Sequence, residues 1–208
     1  VVCGLGTALA VLVMAGIATM PALAGMWVLY LSLSVVGDVF LGYQWDALLL
    51  EVGFLAIWLA PVGKLNRSEP PRLVLWMFWW LLFRFMLGSG AVKLASGDVT
   101  WHSLMALTVH YETQPLPTWI GWYAHQLPVW AQKFSCAVMF GIELGLPFLI
   151  WLGRRGRQVA CGGFVFLMVL ISATGNYCYF NLLTVAMCVL LLDDRALCWC
   201  SRASARRA

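Results

Sequence analysis

Long apolar runs broken by short polar punctuation set the pattern of this chain. Residues Val1 to Gly37 contain no Asp, Glu, Lys, Arg or His, and Gln158 to Leu192 contain none either. A single membrane crossing takes about 20 apolar residues to cover about 30 Å of hydrocarbon, so each run has room for two. The first run divides at Pro21-Ala-Leu-Ala-Gly25 and predicts helices over about 1–20 and 26–43. A third apolar segment, 47–62, lies between Asp46 and Lys64 and fits either a tilted span or a re-entrant helix. The fourth, 73–92, follows Pro70-Pro71, a pair suited to a helix start, and carries Trp76, Trp79 and Trp80 for an interface belt.

Residues 93–133 change character, holding His102, His110 and His125 together with Asp98, Glu112 and three prolines. Helical spacing persists in Trp101, Leu104, Met105 and Thr108, and again in Trp119, Trp122, Tyr123, Leu127 and Trp130, which predicts two short interfacial helices. A further span over 134–152 carries Glu143 in its middle, and the last apolar run splits at Gly175-Asn176 into segments 159–174 and 177–192, ahead of a tail over 193–208. Both last segments crossing, and one turning back within the membrane, are each compatible with that split. The fold class is all-α: a polytopic transmembrane helical bundle of about six or seven membrane segments, with short interfacial helices in one loop.

Composition excludes the other classes. The chain is 62% hydrophobic and 11% charged, against about a quarter charged in soluble chains. That rules out a soluble globular domain, a disordered segment and a nucleic-acid role. The net charge of +4 matters through its placement. Lys64, Arg67 and Arg72 precede the fourth helix and Arg154, Arg155 and Arg157 follow the fifth, so these two loops share a side, the cytosolic one, and 93–133 faces the other. With both final segments crossing, Arg195, Arg202, Arg206 and Arg207 return to the cytosol. Asn66-Arg-Ser68 is a glycosylation triplet on the cytosolic side and is expected to stay unmodified. The seven cysteines show no metal-ligand or Cys-x-x-Cys spacing and read as helix-packing residues, with Cys198-Trp-Cys200 open to a palmitoylation or redox role. Neither an initiator Met nor a charged leader precedes the first apolar run, so the chain reads as a piece of a longer protein.

Ionisable residues at membrane depth cost about 3 kcal/mol each without a partner. Asp38, Asp46, Glu51, Arg84 and Glu143 therefore form a candidate intramembrane polar network, in which Arg84 pairs with Glu143 or Glu51. A proton path through the same acids is the alternative, without the internal repeat that transporters show. Asn176, Tyr177 and Asn181 flank a helix break and serve to bond freed backbone groups. In the polar segment, His110-Tyr111-Glu112-Thr113-Gln114 concentrates a base, an acid and hydrogen-bonding groups before Pro115 and Pro117. A His and a Glu two apart do not share a helix face, so a dyad needs extended backbone there. A hydrogen-bonded lid on the bundle is the other reading. His102 and His125 lack partners at metal spacing, so neither zinc nor another cofactor is expected. Lys93, just after Gly88-Ser-Gly90, suits snorkelling to the interface, or a base activated by desolvation.

Several blocks resemble the lipase maturation factors of the endoplasmic reticulum membrane. They are Gln44-Trp-Asp-Ala-Leu-Leu-Leu-Glu51-Val-Gly-Phe-Leu-Ala56, Leu82-Phe-Arg84-Phe-Met-Leu-Gly-Ser-Gly-Ala-Val-Lys93-Leu94 and Ala106-Leu-Thr-Val-His110-Tyr-Glu112-Thr-Gln114-Pro-Leu-Pro117. Trp122-Tyr-Ala-His125-Gln-Leu-Pro128, Thr174-Gly-Asn176-Tyr177, Phe180-Asn181-Leu-Leu-Thr184 and Leu192-Asp-Asp194 continue the match. The resemblance implies a multi-pass protein of that membrane, chaperone-like and without catalysis, which brings secreted dimeric lipases such as lipoprotein lipase to an active, secretable fold. It implies lipids, a lipase client and further folding factors of the compartment as partners, and a lumenal position for 93–133. Trp101-His-Ser departs from the family pattern, and the family's N-terminal segment and lumenal C-terminal domain lie outside these residues. A distant likeness to the vitamin K-dependent carboxylases, which use a lumenal lysine base, supplies an enzymatic alternative through Lys93, or through His110 with Glu112.

Overall fold

The structure is a computed structural model that describes residues 1–61, 69–114, 116–194 and 196. Lys64, Asn66, Arg67, Ser68, Arg195, Cys198, Cys200, Arg202, Arg206 and Arg207, used above for orientation and modification, and Pro115 of the polar segment, lie outside the described residues. Within them regular structure is helical throughout, apart from a single antiparallel bridge between Pro117 and Gly175. Four stretches are long and apolar enough to cross a membrane: Thr19–Leu41, Arg72–Ala95, Val129–Trp151 and Gly153–Thr174. This is a membrane protein of several apolar helices, and those four are fewer than the six or seven segments expected.

The chain divides into two compact units, Val1–Phe78 and Trp79–Ala208. The first holds α1 (Val2–Met14), α2 (Thr19–Gly37), a 3-10 turn (Asp38–Leu41) and α3 (Gln44–Leu59). The break after α1 falls earlier than expected, where Gly16 and Ala18 take φ of +68° and +47°. Pro21 then lies in the first turn of α2, where a missing N–H costs the helix nothing. Helix α2 packs against both α1 and α3. Trp27 Nε1 donates to the Leu50 carbonyl at 2.8 Å, and the Tyr30 hydroxyl donates to Asp46, which is buried in the first turn of α3. The positive end of the α3 dipole suits a carboxylate there. Two other members of the expected network are placed differently. Asp38 sits exposed in the break after α2 at φ +41°, and Glu51 is exposed on α3.

The second unit begins inside α4 (Arg72–Ala95) and continues through α5 (Val99–His102), α6 (Ala106–Thr113) and α7 (Trp119–His125). Helix α8 (Val129–Phe140) passes into a π turn (Gly141–Gly145) and a 3-10 turn (Leu146–Trp151), and α9 (Gly153–Thr174) and α10 (Phe180–Val189) follow. The two expected interfacial helices are thus three short ones and the start of α8. Leu104, at φ +60°, divides the first set of helically spaced residues, and Pro128 divides the second by capping α8. Trp130 consequently belongs to the spanning stretch. Arg154, Arg155 and Arg157 stand in the opening turns of α9, not in a loop. Leu82 and Met86 of α4, Ile150, Phe164 of α9, and Met187 and Cys188 of α10 are buried in this unit.

Candidate functional site

The irregular helix after α8 has a local cause. Pro147 has no N–H to give the Glu143 carbonyl four residues back, and its ring crowds that carbonyl, so a regular α-turn cannot continue. The backbone widens to a π turn over Gly141–Gly145 and then tightens to a 3-10 turn. Helix α4 approaches closely at Gly90. A Cβ there would sit 2.6 Å from a Leu144 methyl and 3.1 Å from Glu143 Cβ, so the absent side chain is what admits the turn. Lys93 lies three residues further along α4, on the same face.

That geometry makes an ion pair. Lys93 Nζ lies 2.6 Å from both carboxylate oxygens of Glu143, with the two side chains 24% and 5% exposed. The lysine does not snorkel: Glu143 draws it into the unit, and the acid takes Lys93 where charge counting suggested Arg84. Arg84 itself is at an exposed position of α4. The Trp101 ring stands 5.6 Å from the ammonium, adding a cation–π contact. Removing either charge would leave the other buried and alone, a loss of about 3–5 kcal/mol.

His110 on α6 shares a 2.9 Å hydrogen bond with the Tyr177 hydroxyl, and the two rings are nearly parallel, 6.3 Å apart. Burial, and then the positive charge of Lys93, hold the His110 imidazole below its ordinary value of 6.5. Burial pushes the pKa of the Tyr111 hydroxyl upward. Glu112 turns elsewhere: it pairs with His125 Nε2 at 3.1 Å and is 64% exposed. The structure thus separates His110 from Glu112, one joined to Tyr177 and the other to His125, and no His–Glu dyad forms between them.

Gln114 is buried and works structurally. Its Nε2 donates to the Thr174 carbonyl at 2.8 Å, and the Thr118 hydroxyl donates to the Ala173 carbonyl at 2.7 Å. The last carbonyls of a helix have no partner within it, so these two side chains cap α9 from outside. Gly121 and Gly175 allow the approach, since a Cβ at either would lie 2.4 Å from the Thr174 oxygen or 2.3 Å from Gln114 Oε1. Gln132, buried on α8, donates to the Ala124 carbonyl at 2.6 Å. Asn176 Oδ1 accepts from the Cys178 N–H at 3.1 Å, and Asn181 is buried at the start of α10.

The structure therefore joins Lys93 to Glu143, His110 to Tyr177 and Glu112 to His125. Sequence reasoning missed the pairing of Tyr177 with His110, and nothing in the spacing of two residues 67 positions apart announces it. Among the described residues no group of three or more His, Cys, Asp or Glu could hold a metal ion.

A family model described as the lipase maturation factor transmembrane domain matches residues 1–199. Lipase maturation factor 2 of Xenopus laevis is 50% identical over 183 residues, which cover 85% of this chain and 26% of that protein. The human protein of the same name is 48% identical over 185 residues, covering 83% and 26%. Lipase maturation factor 1 of Mus musculus is 39% identical over 198 residues, covering 93% and 34%. The chain thus spans about a quarter to a third of the length of these relatives. No solved structure matches.

Proposed function

Since this chain belongs to the lipase maturation factor family, we propose that it supplies the membrane part of a factor that helps secreted dimeric lipases reach an active, secretable fold in the endoplasmic reticulum. The observation that carries this is the family match across residues 1–199. Six or seven membrane segments, with α1, α3 and α10 as shorter crossings or re-entrant helices, set 93–133 on the lumenal side in this reading.

The role is non-catalytic. Lys93 and Glu143 hold the bundle together, and Gln114 and Thr118 fasten the lumenal segment to α9, so a lipase client meets a preformed surface. An enzyme working through Lys93, or through His110 with Glu112, has less support, because each of these groups is engaged by a different neighbour.

The test is rescue. Cells lacking their own factor receive the full-length protein that carries this chain, unchanged or with Glu112→Gln, and secreted lipase activity is read against lipase mass. Restored activity per unit mass by both forms is expected. Loss with Glu112→Gln at normal abundance would instead favour the enzyme, and no rescue by the unchanged protein at normal abundance would remove lipase maturation as its task.

A further inference from the structure

Helix α7 has one side fastened and one side bare. Its Gly121 is buried against the Thr174 carbonyl, and Thr118 just before it donates to Ala173, so the inner side is pinned to the last turn of α9. Its other end enters α8 through Gln126, Leu127 and Pro128. Four Cα steps cannot reach farther than about 15 Å, and the Gln132 bond to the Ala124 carbonyl draws the two helices together. Both α8 and α9 belong to stretches that can cross a membrane. They are joined at one end through Leu152 alone, and at the other α7 bonds to both, so the start of α8 and the end of α9 mark the same membrane surface. Helix α7, seven residues and about 10 Å long, is held at that level by both.

The bare side is aromatic. Trp119, Trp122 and Tyr123 recur at helical spacing, and all three are exposed, Trp119 to 88%. The same kind of surface continues onto the outer side of α8 through Trp130 and Phe134, in the stretch that enters the membrane. No carboxylate lies between Thr113 and Phe134, and Lys133 stands exposed beside Phe134. Tryptophan and tyrosine favour the layer between headgroups and acyl chains, where an apolar ring and a polar N–H or O–H are both accommodated, and a lysine there meets lipid phosphate.

We propose that α7 is a membrane-surface anchor: its outer edge of Trp119, Trp122 and Tyr123 lies in the headgroup layer of the bilayer that α8 and α9 cross, and its partner is phospholipid. This edge is then lipid-covered and not a lipase-binding face. The inference stands independently of the maturation role.

Photocrosslinking in cells tests it. The full-length protein receives benzoylphenylalanine in place of Trp122 or, separately, of Tyr123, with the exposed Glu112 as reference position, and the cells are fed alkynyl choline to tag their phosphatidylcholine. Irradiation is expected to give lipid adducts several-fold stronger at positions 122 and 123 than at 112. Adducts to protein in place of lipid at both positions, or lipid adducts no stronger than at 112, would overturn the proposal. Because no lipase is read in this experiment, its failure and that of the maturation reading stay distinguishable.

Discussion

Gly90 shows how a single residue positions chemistry. Its missing Cβ lets the π turn close on α4, and the approach delivers Lys93 to Glu143. His110, whose imidazole feels the charge of Lys93, makes stability depend on pH. Its proton affinity is depressed in the fold by burial and by Lys93, and the unfolded chain regains the ordinary value of 6.5. Above pH 6.5 both states leave His110 neutral and its packing contribution is fully present. As pH falls from 6.5 towards the lower folded value, the unfolded chain takes up the proton first and stability declines. We expect thermal unfolding of the purified full-length protein to shift to lower temperature between pH 7.5 and 5.5. His110→Gln should show a smaller shift, and an equal shift in both would mean that other groups carry the effect. Lys93, Glu143 and His110 all stood out in the sequence as polar residues among apolar ones. Their pairings did not, because Lys93 and Glu143 lie 50 positions apart and His110 and Tyr177 lie 67 apart, and spacing carries no information over that distance.

Element type was legible from apolar run length, whereas element ends were decided by single residues. The expected start at 134 missed Val129 because Pro128, which stands immediately before the first turn of α8, was counted inside an interfacial segment. The first break was misplaced for the converse reason: Pro21 is tolerated in a first turn, and the chain bends at Gly16 and Ala18. The contact of α7 with the end of α9 is the most demanding junction. Gly121→Ala places a methyl 2.4 Å from a backbone oxygen that cannot move aside cheaply, and a loss of about 1–3 kcal/mol is expected, as for other overpacked sites. Gly88→Ala in α4 meets open space and is expected to stabilise by up to about 1 kcal/mol through helix propensity. Melting temperatures of the two variants beside the parent check both signs.

For the whole molecule, the prediction is orientation. Selective permeabilisation of the plasma membrane is expected to expose a cysteine at Arg155→Cys to an impermeant maleimide, while one at Glu112→Cys labels only after full solubilisation. The reverse pattern would turn the molecule over. Membrane class and family were legible because composition and blocks over 44–194 carry them. The number of crossings was not, since α1, α3 and α10, at 13, 16 and 10 residues, fall short of a full span. The α8–α9 hairpin carries a last consequence. At one end the two stretches meet through the single residue Leu152, and at the other α7 ties Val129 to Thr174 through Thr118, Gly121 and the short connection beyond His125. A hairpin held at both ends is restrained against scissoring, so α8 and α9 are expected to move together when this part of the protein rearranges.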